Sequence, residues 1–121
     1  MNILFATNAD YDYNKIYNLI SASLYVTDIY TCNNEEEIDE TIESFHVDMF
    51  IVLVQNPDDF GTIAYDKLIS DEIEEERILI LTDKPTGIKK SHLINQVYSN
   101  DLDQEMVNDI LSYFSREGED Y

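Results

Sequence analysis

The 121-residue sequence predicts an α/β domain in which helices cover both faces of a parallel sheet of five strands. Three observations point there. Short apolar runs alternate along the chain with stretches whose apolar residues recur at helical spacing. The most continuous run, Met49 to Val54, lies mid-chain and reads as a central strand buried on both faces. No internal repeat or low-complexity linker divides the sequence, so residues 1–121 are expected to form one domain.

Residues 2–7, Asn-Ile-Leu-Phe-Ala-Thr, form the first apolar run and the first expected strand. From Asp12 onward Ile16, Leu19, Ile20 and Ser23 recur at helical spacing, and Asp10 or Asp12 is placed to cap a helix of about three turns. Val26 to Cys32 is rich in β-branched and aromatic residues and predicts the second strand. Asn33 or Asn34 then caps a second helix with Glu35 to Glu37 in its first turn, where the helix dipole favours acids. Ile38, Ile42 and Phe45 form its inward stripe. Pro57 follows the central strand and cannot continue a ladder. Asp58 and Asp59 open a third helix with Ile63, Ala64 and Leu68 inward, and Ile78 to Leu81 is the fourth strand. The loop from Thr82 to Gly87 ends it, and a short fifth strand fits around Ile94 to Ser99. The last helix is expected to start near Asn100 or Asp101, with Met106, Val107, Ile110, Leu111 and Phe114 at its spacing and a frayed tail from Arg116 on.

Composition excludes several function classes. Twenty-six Asp and Glu against seven Lys and Arg give a formal net charge of −19. Such a chain is disfavoured on nucleic-acid backbone, where affinity comes from cations displacing counterions, and on anionic membranes. The hydrophobic share of 44%, spread along the sequence, argues for a packed core rather than disorder. The single cysteine, Cys32, excludes an internal disulfide and suits a reducing cytoplasm. No leader-like basic start and no apolar run of membrane-spanning length is present, so a cytoplasmic location is expected.

The segment Asp48-Met49-Phe50-Ile51-Val52-Leu53-Val54-Gln55-Asn56-Pro57 resembles the third strand and following loop of the receiver domain of bacterial response regulators. The resemblance runs across essentially the whole chain. It implies a flavodoxin-like doubly wound five-stranded parallel sheet in which Asp48 opens the central strand and Pro57 keeps its register. It also places Leu53 at the phosphoacceptor position, where leucine cannot accept phosphate. The acidic pair that holds Mg²⁺ in the family is matched by Thr7 and Asn8, neither of them an anionic ligand. Thr82 matches the switch Thr, and Ser99 with Asn100 stands where the family has its phosphate-binding Lys. The helix between the fourth and fifth strands is expected to be one turn or a loop, since little beyond Gly87 to Leu93 is available for it.

Other chemistry finds little support in the sequence. Asp10, Asp12, Asp58 and Asp59 fall near one edge of the sheet; helix capping is the simpler role, and a displaced divalent-cation site is the alternative. His46 and His92 have no metal-ligand spacing, and Cys32 has neither a CxxC partner nor an activating cation. No Gly-rich turn follows the first strand, and Thr7-Asn8-Ala9 lacks the hydroxyls expected of a flavin phosphate loop. The expectation is therefore a non-enzyme without a cofactor: a phosphorylation-independent pseudo-receiver acting in signalling or regulation. It would contact a protein partner, a second copy of itself (a homodimer) among the candidates, with Lys84, Lys89 and Lys90 as a possible head-to-tail contact. The alternative is an acidic inhibitor or nucleic-acid mimic that binds a basic protein.

Overall fold

A computed structural model describes residues 1–56, 58–82, 96–98 and 102–119, without the side chains of 96–98 and 116–119. Four strands of five residues each, β1 (Asn2–Ala6), β2 (Asp28–Cys32), β3 (Met49–Leu53) and β4 (Ile78–Thr82), are joined by a three-residue β5 (Gln96–Tyr98). Every pairing is parallel and the spatial order is β2-β1-β3-β4-β5. That is the order of flavodoxin-like doubly wound sheets, in which the chain reverses its direction of winding between β1 and β3.

The helices are α1 (Asn14–Ser21), α2 (Glu35–Ser44), α3 (Phe60–Ser70) and α4 (Gln104–Glu119). Strand alternation divides the core into two apolar layers. On one face Ile3, Phe5, Ile51, Leu79 and Leu81 meet Ile16 and Ile20 of α1 and Val107, Leu111 and Phe114 of α4. On the other, Leu4, Ala6, Phe50, Val52 and Ile80 meet Ile38 of α2 and Ala64, Tyr65 and Leu68 of α3. Both β3 and β4 are buried at every residue, as a strand covered on two faces must be. The Arg77 guanidinium holds the amino-terminal approach to β3. It donates to the carbonyls of Val47 and Asp48 and lies 5.6 Å from the centroid of the Phe50 ring.

Several expected boundaries move. Neither Asp10 nor Asp12 is the N-cap of α1: Tyr13 holds that position without a side-chain cap, and Asp12 Oδ1 accepts the Asn14 N–H at 3.3 Å. The cause is a turn closed by Tyr11 N–H donating to Asn8 O at 3.2 Å, which delays the helix and leaves it about two turns long. Ser23 is buried beyond its end, and Val26 precedes β2. Phe45, 49% exposed at the end of α2, stacks on Tyr30 of β2 at 4.4 Å instead of entering the core. Ile63 and Met106 face outward at 46% and 37% exposure. Helix α4 begins at Gln104, where Asp103 Oδ1 accepts the Met106 N–H at 2.9 Å, and it runs on through 116–119 where fraying was expected. No helix among the described residues is long and apolar enough to cross a membrane. The expectations for Pro57, Lys84, Lys89, Lys90, His92 and the helix between the fourth and fifth strands lie outside the described residues.

Candidate functional site at the carboxyl ends of the strands

Sheets of this order place ligands beyond the carboxyl ends of their strands, at the crevice between the first and third. Here that crevice is bounded by Thr7 and Asn8 after β1, Leu53 to Asn56 at the end of β3, the first turn of α3, and Thr82 of β4. Thr7 is fully buried; its N–H donates to Cys32 O at 3.1 Å and its carbonyl accepts from Asn33 Nδ2 at 2.8 Å. Asn8 reaches across the crevice, and its Oδ1 accepts the Phe60 N–H at 2.6 Å. Phe60 is the first residue of α3, so Asn8 satisfies one of the helix N-terminal donors that would otherwise face a bound anion.

The second partner of α3 is Asp59, only 6% exposed. Its Oδ1 accepts the Thr62 N–H at 3.0 Å and lies 3.1 Å from the Thr62 hydroxyl. Its Oδ2 accepts the N–H groups of Gln55 at 2.7 Å and Asn56 at 3.1 Å, and the Tyr11 hydroxyl at 2.9 Å. Asn56 Nδ2 in turn donates to the Tyr11 oxygen at 3.2 Å. A buried carboxylate is tolerated when its lone pairs are taken by donors in this way. Burial pushes the Tyr11 hydroxyl above its ordinary value, and Asp59 adds to that both as acceptor and as charge, against the opposing donation from Asn56.

Of the four carboxylates considered for a cation, Asp59 is committed to protein donors, whereas Asp10, Asp12 and Asp58 are exposed. Among the described residues no three metal-ligating side chains come together. Capping accounts for Asp59 alone.

Leu53 is 1% exposed and packs in the same apolar layer as Phe5, Ile51 and Leu81. The α3 backbone crosses immediately above it. A Cβ added at Gly61 would lie 2.0 Å from the Leu53 carbonyl oxygen, so only glycine permits this approach. Thr82 is fully buried. The Ser99 and Asn100 positions lie outside the described residues.

The described basic side chains are engaged or placed elsewhere: Lys67 pairs with Asp39 at 2.9 Å and Asp71 at 3.2 Å, Arg77 holds the start of β3, and Lys15 is exposed on α1. Both partners of Lys67 hold its pKa above the usual value. The Cys32 thiol is buried, 3.5 Å from the Thr41 hydroxyl, and burial pushes its pKa up, which makes it a poor nucleophile. His46 lies before β3, where its Nε2 is 2.9 Å from Asp48 Oδ1. The crevice thus holds donors and acceptors that satisfy one another. Sequence reasoning missed Tyr11, Asn56 and Gly61; glycine at the second position of a helix, in a chain with three glycines, was the available signal.

No family model matches the sequence, and no curated protein matches it. Among solved structures it is similar to a fusion containing the yeast Spc42 trimeric coiled coil, amino acids 181–211. The TM-score is 0.64 at 14% identity, over 98% of this chain and 81% of that one. At that identity the likeness concerns fold alone.

Proposed function

We propose that the chain is a phosphorylation-independent pseudo-receiver, a five-stranded receiver-like module of the reducing cytoplasm that works in regulation by contacting another protein. The observation that carries this reading is the closure of the crevice. Leu53, at the position that the resemblance to receivers assigns to the phosphoacceptor, is buried, and Asn8 accepts the α3 N–H group on which an anion would otherwise rest. With the usual site filled by the protein's own side chains, surface recognition is what remains for such a fold to do. An apolar stripe supports contact with a partner: Met106, half-buried Ile110 and Tyr113 recur along α4, with Tyr113 53% exposed.

Incubation with a small acyl phosphodonor and Mg²⁺, followed by intact mass measurement, tests the reading. The expected result is an unchanged mass. An acid-stable, base-labile increment of one phosphoryl group would overturn it.

A further inference from the structure

Strand β2 is the terminal strand of the sheet on the β1 side. Its register with β1 is unbroken from Asp28 to Cys32. The Cys32 carbonyl points inward, accepting the Thr7 N–H at 3.1 Å. Because N–H and C=O groups alternate in direction from residue to residue, Ile29 and Thr31 present theirs outward, where no backbone partner meets them among the described residues. Natural edge strands are guarded by lysine, proline, a bulge or a covering segment. Asp-Ile-Tyr-Thr-Cys has neither lysine nor proline, and the ladder has no bulge.

The side chains around this edge suit a particular occupant. On the α2 side Tyr30 and Phe45 form a stacked pair, with the Phe45 ring half exposed. Such rings accept the stem and charge of a lysine or arginine. Asp28 is exposed at the start of the strand, and Glu35, Glu36, Glu40 and Glu43 are exposed on α2. A second copy would bring two chains of net charge −19 together, whereas a cationic segment is drawn in by the same field.

We propose that the outer edge of β2 takes up an extended, lysine- or arginine-bearing segment of a partner protein as an added strand, using the Ile29 and Thr31 backbone and the Tyr30–Phe45 pair. This rests on the reading of the chain as an interaction module and names its partner class. Backbone pairing supplies affinity in this mode and alternate side chains supply selectivity.

Capped octapeptides of alternating Lys-Val, the same Lys-Val peptide N-methylated at every backbone amide, and alternating Glu-Val are the probes, followed by amide chemical shifts of the isotope-labelled protein. Lys-Val is expected to shift Ile29, Thr31 and their neighbours. The N-methylated peptide, equally charged but without a backbone N–H to donate to a ladder, should bind at least about tenfold more weakly, the loss of one or more hydrogen bonds. Thr31→Pro removes one outward donor and leaves the β1 ladder intact, so it should weaken Lys-Val by about tenfold while Thr31→Ala does not. A matching amide spectrum away from the substitution establishes that the variant is folded; were it unfolded, the comparison of Lys-Val with its N-methylated form on the unaltered protein decides alone. Equal binding of Lys-Val and its N-methylated form, shifts confined to other surfaces, or a dimer abolished by Thr31→Pro would each overturn the proposal, the last by assigning the edge to a second copy. A flat titration removes the edge site and leaves the unphosphorylatable reading standing; a phosphorylated mass does the reverse.

Discussion

Asp59 shows how one side chain can close a site. Its two oxygens meet five donor groups drawn from the loop after β3, from α3 and from Tyr11. Asp59→Ala would leave the N–H groups of Gln55, Asn56 and Thr62 without this acceptor and remove the α3 cap; a loss of about 3 kcal/mol is expected, read as a lower urea midpoint at unchanged slope. Tyr11→Phe removes one donor while four remain and should cost about 1 kcal/mol. A comparable loss in both variants would mean that the carboxylate has no central role. The cap itself was legible in the sequence, because an Asp before a helical run has a local purpose. The contact from Asn8 to Phe60 was not: the two residues are 52 positions apart, and only the closed sheet brings them together. Asn8 read as a missing metal ligand is, in the folded chain, a hydrogen-bond acceptor for a helix terminus.

Helix α3 ends in a Schellman motif. Glu72 N–H donates to Ile69 O and Ile73 N–H to Leu68 O, both at 3.0 Å, while Ile73 packs against the apolar layer that contains Leu68. The motif demands a left-handed residue, and Glu72 supplies it at φ 67°. A side chain with Cβ is strained there, so Glu72→Gly should raise stability by about 0.5–1 kcal/mol, the strain relieved less the added freedom of the unfolded chain. Glu72→Ala keeps the strain and should give no such gain in the same thermal or urea unfolding series. At this scale the strands were the most readable elements, since β1, β3 and β4 are continuous apolar runs whose burial follows from composition alone. Helix ends were less so. Residues 10–13 carry helix-start signals, yet the turn from Asn8 to Tyr11 competes for the same backbone and wins. Phe45 lies at helical spacing from Ile38 and Ile42, yet the helix stops at Ser44, and its ring goes to Tyr30 on the neighbouring strand.

For the whole molecule, charge and tyrosine content set the response to alkali. The chain has nine tyrosines and a formal net charge of −19, so every proton lost adds to an existing repulsion. Tyr65 sits in the layer beneath α3 at 3% exposure, and its pKa is pushed up to about 12 from 10.0, chiefly by burial and further by the charges of Glu75 and Asp66. A hydroxyl whose folded pKa lies above its unfolded one holds more protons in the folded state. Its contribution is therefore fully present below pH 10.0 and is lost as pH rises toward about 12, where the unfolded chain gains by ionising and the folded chain does not. Tyr11, shifted in the same direction, adds to the slope. Stability should thus fall progressively across that window. Tyr65→Phe, which has no proton to lose, should lower stability at neutral pH yet flatten the alkaline slope. Salt separates the two causes: it screens repulsion among exposed carboxylates but barely reaches a hydroxyl desolvated in the core. Urea midpoints across the alkaline range, in low and high salt, should therefore show a salt-sensitive component common to both proteins and a salt-resistant one that is larger in the chain that retains Tyr65. Identical alkaline slopes in the two proteins would show that burial of Tyr65 does not control its ionisation.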